Sequence, residues 1–477
     1  MRHPAIFAAL AFATALPAHA LTPVSSVARY RVTRESADAF RVEASFSVPA
    51  PRLDLNSHGS SRPDAQAASV KDLHAFDAGG KEIPFVFAGN GTWEFKAAPA
   101  SRITYRLLAD HDGATWQAGK DEVATRFDAS YFFAGDAFFL LDYDWPQRPI
   151  EVDFELPDGW RITSPWWTNG MHVVADNADA LGTNVFAMGT DPARQVEAGG
   201  MQVTWLSDSR VQATEAALLP MMERVPRAYT GFWGASPGDK LTVFFLSDPE
   251  TDGGAFRNSF AMRFATPLRP SERIVWEHTL AHELMHVWMN NANAGIHITG
   301  DGSAYWFTEG FTDYLTVKLN RQAGLIDEAT ADQQLANQIR RYEIGKRLSP
   351  DVSFAAAGKE KHKHWELIYG GGAFFALLLD AELSQQSPTA FRDALRAVQA
   401  TPGVRYDHAA MLAKLDAGTN GRASVLLAQV EKGMTLPQIR AALAPAGVSV
   451  EGFASDEVYV GLVPCTQDAC ASKFLRP

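Results

Sequence analysis

The run Ala281-His282-Glu283-Leu284-Met285-His286-Val287 constrains this chain more than any other stretch, because it spells H-E-x-x-H. On a helix, residues four apart lie on one face about a turn apart, so both imidazoles can reach one metal ion while Glu283 projects beside them toward a bound water. With 13 His and 55 acidic residues in 477, roughly 0.04 such patterns arise by chance. A structural, hydrogen-bonded pair of histidines is the bland alternative. Catalytic zinc takes three protein ligands and keeps a fourth position open, so the fold must aim one more donor at this helix.

Cysteine does not supply it. The two cysteines, Cys465 and Cys470, stand together in PCTQDAC near the C-terminus and cannot build a zinc site alone. Four intervening residues make a closable loop, and they are read as a disulfide that staples the tail. An oxidising compartment fits the first twenty residues. Arg2, the apolar stretch Ala5 to Leu16 and Ala18-His19-Ala20 have the form of a secretory leader cleaved after Ala20, giving a secreted or periplasmic protein. No later stretch reaches the roughly 18 apolar residues that span a bilayer, so no stable membrane insertion is expected. A net charge of −12 argues against a nucleic-acid surface, which needs clustered Lys and Arg. The one basic run, Lys359, Lys361 and Lys363 with His362 and His364, reads as a solvated loop.

From Val27 to Thr190 short β-branched and aromatic segments alternate with turns, as in a β-sandwich. Strands are expected at Tyr30 to Val32, Phe40 to Val48, Ile103 to Leu107, Phe138 to Leu141, Val152 to Leu156 and Val173 to Val174. The texture changes at Ala198-Gly-Gly. A helical pattern from Ala213 to Tyr229, strands at Leu241 to Leu246 and Ala255 to Ala265, and helices at about Ser271 to Asn290 and Glu309 to Arg321 suit an α+β unit. Beyond Ala323 the pattern is mainly helical. Pro402 with Gly403, then Gly418 and Gly421, break it.

Downstream of the paired histidines stands Trp306-Phe307-Thr308-Glu309-Gly310-Phe311-Thr312-Asp313-Tyr314, and here the chain resembles the gluzincin peptidases, in which a Glu on a second helix completes the zinc site. Glu309 is that Glu by resemblance. By itself it would read as an acid favoured at a helix N-terminus. His286-Val-Trp288 followed by Asn291 is similar to the extension found in the aminopeptidase N family, whereas W-x-x-E-G-F-T is nearer the glycyl aminopeptidase family. The resemblance implies one Zn2+ ion, a peptide or polypeptide substrate, and a multidomain chain. Its parts would be a leader over 1–20, an N-terminal β-sandwich over 21–197, a thermolysin-like α+β catalytic domain over 198–400 and a mainly helical C-terminal region over 401–477.

The resemblance also assigns roles. Tyr369-Gly370-Gly371-Gly372-Ala373 is similar to Y-x-K-G-A, whose Tyr donates to the oxyanion, with Gly371 standing where the family has Lys. Asp313, four residues after Glu309, stands at the interval thermolysin-like enzymes use to orient a ligand histidine, here His282. Gly253-Gly254-Ala255-Phe256-Arg257-Asn258-Ser259 resembles the edge strand beside the substrate backbone, which marks Gly253, Gly254, Ala255 and Asn258 as substrate-binding. That stretch lacks the family's Glu, which in the related enzymes holds a free amino group. His278 and His297 flank the site without matching spacing and are not expected as ligands. Two other readings stay open at this point: a zinc-containing protein that binds polypeptides without cleaving them, and a zinc hydrolase of a non-peptide substrate.

Overall fold

The computed structural model describes residues 25–55, 64–109, 125–248, 252–265, 273–289, 296–399, 404–453 and 459–462. The expected leader and the pair Cys465 and Cys470 lie outside the described residues.

Alternation of apolar and polar residues makes the N-terminal part sheet-rich. Along Ala28–Arg34, Ala28, Tyr30 and Val32 point inward while Arg29 and Arg31 are exposed, and Ala39–Ala50 repeats the period. These strands are central in an eight-stranded sheet ordered Trp167–Asn169, His172–Ala175, Ile150–Glu155, Ala28–Arg34, Ala39–Ala50, Ala100–Leu108, Val70–Phe76, Glu82–Ile83. Its inner face, with Tyr30, Phe40, Val42, Ile103, Tyr105 and Val152, shares a core with Phe133, Phe186 and Met188 of a four-stranded sheet. That smaller sheet runs Arg161–Thr163, Val185–Gly189, Ser130–Ala134, Thr125–Phe127.

The four-stranded sheet is a middle layer. Its other face sets Phe132, Ala134, Val185 and Ala187 against Leu206, Phe244, Leu246 and Ala261 of the next sheet. Ser130–Ala134 and Val185–Gly189 are therefore buried at every position and show no alternation in sequence. Phe138–Leu141, expected as a strand, is irregular backbone after the 3-10 turn Gly135–Ala137, apart from one isolated antiparallel bridge of Leu141 to Asp54. Its four side chains are fully buried, and the carbonyls of Phe138 and Leu140 accept hydrogen bonds from the Tyr105 and Tyr30 hydroxyls at 2.8 and 2.6 Å. An apolar plug has the composition of a buried strand but here makes only a single bridge in place of a ladder.

The next sheet has five strands in the order Arg194–Ala198, Met201–Ser207, Lys240–Asp248, Ser259–Ala265, Asp252–Ala255. The middle three are parallel, and the helix Glu215–Trp233 makes the first crossover between them. Ala198-Gly199-Gly200 is a hairpin turn within this sheet, with Gly199 and Gly200 at φ +60° and +79°, values that favour glycine. The expected single strand Ala255 to Ala265 divides at Phe256–Asn258 into an antiparallel pair, leaving Asp252–Ala255 on the sheet edge.

Helices follow at Arg273–Met289, Gly310–Gln322, Glu328–Leu348, Gly372–Leu383, Ala390–Gln399, His408–Thr419, Arg422–Lys432 and Leu436–Leu443. Gly372–Leu383 is apolar except for Asp380 and Glu382 and is buried at eleven of its twelve positions, as a central helix must be. One buried cluster extends from Ala198 to Val450. The chain is thus multidomain, with a sheet-rich N-terminal part and a helical C-terminal region. Among the described residues no helix is long and apolar enough to cross a membrane.

Candidate metal centre

The helix Arg273–Met289 buries Leu280, Ala281, Leu284, Met285 and Trp288 completely or nearly so. Its remaining face lines a cleft of about 740 Å3 with His278, His282, Glu283 and His286. The four-residue spacing brings the Nε2 atoms of His282 and His286 to 3.2 Å. Glu309, at the junction between Tyr305–Thr308 and Gly310–Gln322, places Oε2 3.4 Å from each of those nitrogens. Backbone contact sets that junction. A Cβ on Gly310 would lie 2.4 Å from the Gly372 backbone, so the two helix starts touch where only glycine fits.

These separations test the site for zinc. Three donors about 2.0–2.2 Å from a common centre at tetrahedral angles lie about 3.3–3.5 Å apart. The observed 3.2, 3.4 and 3.4 Å match that triangle, and two imidazoles with a carboxylate are a donor set that zinc favours. All three residues are buried.

The surrounding groups orient this set. Asp313 Oδ1 accepts from His282 Nδ1 at 2.8 Å and from His278 Nε2 at 3.0 Å, while its other oxygen meets Arg341 Nη1 at 3.2 Å. Tyr369 lies in a π-helical turn, Leu367–Gly371, just ahead of Gly372–Leu383. Its ring stacks on His282 at 5.9 Å and on Trp365 at 4.3 Å. Across the cleft, Gly253, Gly254 and Ala255 present the edge strand. A Cβ at Gly253 would come within 3.2 Å of Glu283 Cγ, so the strand passes directly beside that carboxylate.

Comparison with known proteins gives a consistent assignment. The family model for the peptidase M61 N-terminal domain matches residues 29–185, and that for M61 glycyl aminopeptidase matches residues 276–363. The chain is a gluzincin, aminopeptidase-like protein of the M61 peptidase family. An aminopeptidase N family protein from Idiomarina loihiensis superposes with TM-score 0.71 at 18% identity, covering 90% of this chain and 82% of that one. An M1 zinc metallopeptidase from Deinococcus radiodurans superposes with TM-score 0.55 at 16% identity, over 86% and 94% of the two chains. A variant of that metallopeptidase bound to a Tyr-Ser-Ala substrate gives TM-score 0.52 at 16% identity over the same shares. No curated protein sequence matches the chain.

As a zinc aminopeptidase-like enzyme, the protein has a site whose electrostatics call for a cation. Burial works against a charged His282, yet its bonds to Asp313 and Glu309 and the nearby Glu283 outweigh it and lift the imidazole to about 10. Burial likewise disfavours ionised Glu309 and Asp313, but histidines bonded to each hold both well below the usual carboxylate range. In the absence of a dication the acids draw a proton onto His282; a metal ion satisfies the same field. Tyr369 is pushed far above its ordinary value by burial, then by Glu309 and Glu283, so its phenol keeps its proton as a donor.

Two expectations for this peptidase need correction. Asn258 lies outside the cleft: its N–H donates to Asn184 Oδ1 at 2.8 Å, and its side chain packs against Gly238, so it fastens the hairpin. The basic run is not a uniform solvated loop. Lys359 and Lys363 are 57% and 70% exposed, but Lys361 turns into the cleft, with Nζ 2.6 Å from Glu309 Oε1. His278, Arg341, Trp365 and Lys361 also line the site. Of these only His278 carried a signal, its place one helical turn before His282 on the same stripe. His297 sits on the short strand His297–Ile298 paired with Arg405–Tyr406.

Proposed function

We propose that the protein is an exported zinc peptidase that removes residues from the amino end of peptides, with His282, His286 and Glu309 as the metal ligands. The triangle of donor atoms with Glu283 and Tyr369 in the same cleft carries this reading. A bound zinc ion supplies Lewis acidity toward the scissile carbonyl and acidifies water. Glu283 takes the proton of the attacking water and returns it to the leaving amine. Tyr369 donates its phenolic hydrogen to the developing oxyanion, and the partly buried ring, in contact with His282 and Trp365, needs little reorganisation to do so. The edge strand Asp252–Ala255 pairs with the substrate backbone. Asp313 fixes the tautomer of His282 with Nε2 unprotonated.

The remaining parts of the proposal are a single zinc ion, a thermolysin-like catalytic domain over 198–400, and a leader removed after Ala20. They rest on the resemblance and on residue pattern. Amino-end cleavage is supported by the family assignment. Glu283→Gln should retain zinc while turnover falls by about 10^2–10^4. Full activity in that variant would sink the mechanism. Incubating the enzyme with a defined peptide mixture should yield products shortened one residue at a time from the amino end; internal fragments would replace the aminopeptidase reading with an endopeptidase.

A further inference from the structure

The two oxygens of Glu309 face different partners. Oε2 is turned to His282 and His286, while Oε1 takes the ammonium of Lys361 at 2.6 Å. Lys361 belongs to a short 3-10 turn, Lys361–Lys363, that follows the helix Phe354–Lys359. This turn is held close to the catalytic segment, since a Cβ on Gly358 would lie 2.3 Å from the Gly302 carbonyl oxygen. The ammonium is enclosed by aromatic faces, 4.9 Å from the Tyr305 ring centroid, 5.4 Å from Trp365 and 5.2 Å from Tyr369. Its side chain is 21% exposed, against 57% and 70% for Lys359 and Lys363 beside it.

We propose that Lys361 is a positioning residue that holds Glu309 to a single metal-facing oxygen. A carboxylate with both oxygens free can rotate so that both bind one cation. Occupying two positions with one residue would close the place that water and the substrate carbonyl need. A charge-assisted bond to Oε1 prevents this rotation and spends one carboxylate lone pair outside the metal shell. The three rings hold the ammonium in that place, so Lys361 also ties Tyr369 and Glu309 to one cation. The proposal rests on Glu309 being a ligand, as set out above.

The test uses the full protein with cobalt(II) in place of zinc, whose visible absorption band reports the coordination number, for wild type, Lys361→Met and Lys361→Arg. Expected is a weakened and shifted band for Lys361→Met, recovery of the wild-type band by Lys361→Arg, and a kcat lowered about tenfold to a hundredfold in Lys361→Met with KM little changed. Equal melting temperatures of the metal-free proteins would confirm that folding is intact. A Lys361→Met spectrum that superimposes on wild type would overturn the proposal. So would a raised KM at unchanged kcat, which would make Lys361 a substrate contact instead. A wild-type protein that takes up no cobalt would reject the metal-site reading itself, an outcome distinct from either.

Discussion

Gly372→Ala is a small change at the contact that sets the centre. A Cβ at this position would lie 2.1 Å from the Trp306 carbonyl oxygen and 3.0 Å from Gly310 Cα, where ordinary contact begins at 3.4 Å. Relieving the first contact requires the two segments to separate by roughly 1.3 Å, and because every obstructing atom is backbone no side chain can yield in their place. Trp306 precedes Glu309 by three residues and Tyr369 precedes Gly372 by three, so the separation moves a metal donor away from the oxyanion donor. Catalytic groups tolerate about 0.5 Å, and a displacement near 1 Å costs about 10^2-fold in rate. The overpacking itself should cost about 1–3 kcal/mol of stability. The assay is kcat/KM on a peptide found to be cleaved by the wild type, with thermal melting and metal content measured on the same preparations. Gly231→Ala is the control. Gly231 lies inside the helix Glu215–Trp233, and among the described residues nothing beyond its own helix lies within 4 Å of an added Cβ, so alanine should be neutral or stabilise by about 1 kcal/mol. Wild-type kcat/KM and melting temperature in Gly372→Ala would refute the claim that this crossing positions the site.

Asp313→Asn removes the charge shared by His278, His282 and Arg341, and zinc affinity should fall about 10- to 100-fold, or about 1.4–2.7 kcal/mol. Competition against a chromogenic chelator reads this directly, and an affinity within twofold of wild type would refute it. Asp332, on Glu328–Leu348, is pushed up to about 6 by burial and then by Glu328, and its Oδ1 has no hydrogen-bond partner among the described residues. The folded state therefore holds this proton more tightly than the unfolded chain, whose carboxyl titrates near about 3.9. Stability falls as pH rises from about 4 to about 6, and the full penalty is present at neutral pH. Asp332→Asn should raise stability by about 1–2 kcal/mol at pH 7, after discounting for solvent screening, and change little at pH 4. Melting curves at the two pH values check it, and an equal change at both would rule out the titration as cause.

The ligands and their supports differ in how far they could be read from sequence, and the difference is physical. His282 and His286 are legible because helix geometry converts a four-residue interval into a shared face, whatever the rest of the chain does. Glu309 is legible through the W-x-x-E-G-F-T run, in which Gly310 is the residue that lets two helix starts touch. No such local rule brings in Lys361 or Arg341. One arrives on a 3-10 turn and the other from the middle of Glu328–Leu348, and only tertiary packing aims them at Glu309 and Asp313. Gly371 is the instructive intermediate. In sequence it looks like a missing lysine, but a Cβ there would meet the Phe354 ring at 2.8 Å, so the position faces the core and has no room for a long side chain. Cations near Tyr369 come instead from Arg341 and from Lys361, the latter in a run whose composition suggests only solvation. The sheets fail by the same logic. Ala28–Arg34 is readable since one face meets solvent, while Ser130–Ala134 and Val185–Gly189 lie between two cores and lose the alternation that identifies a strand. Legibility therefore follows local pattern: residues set by a helical-turn spacing or carried in a recognisable run can be read along the chain, whereas Lys361 and Arg341, which only tertiary packing aims at the site, cannot.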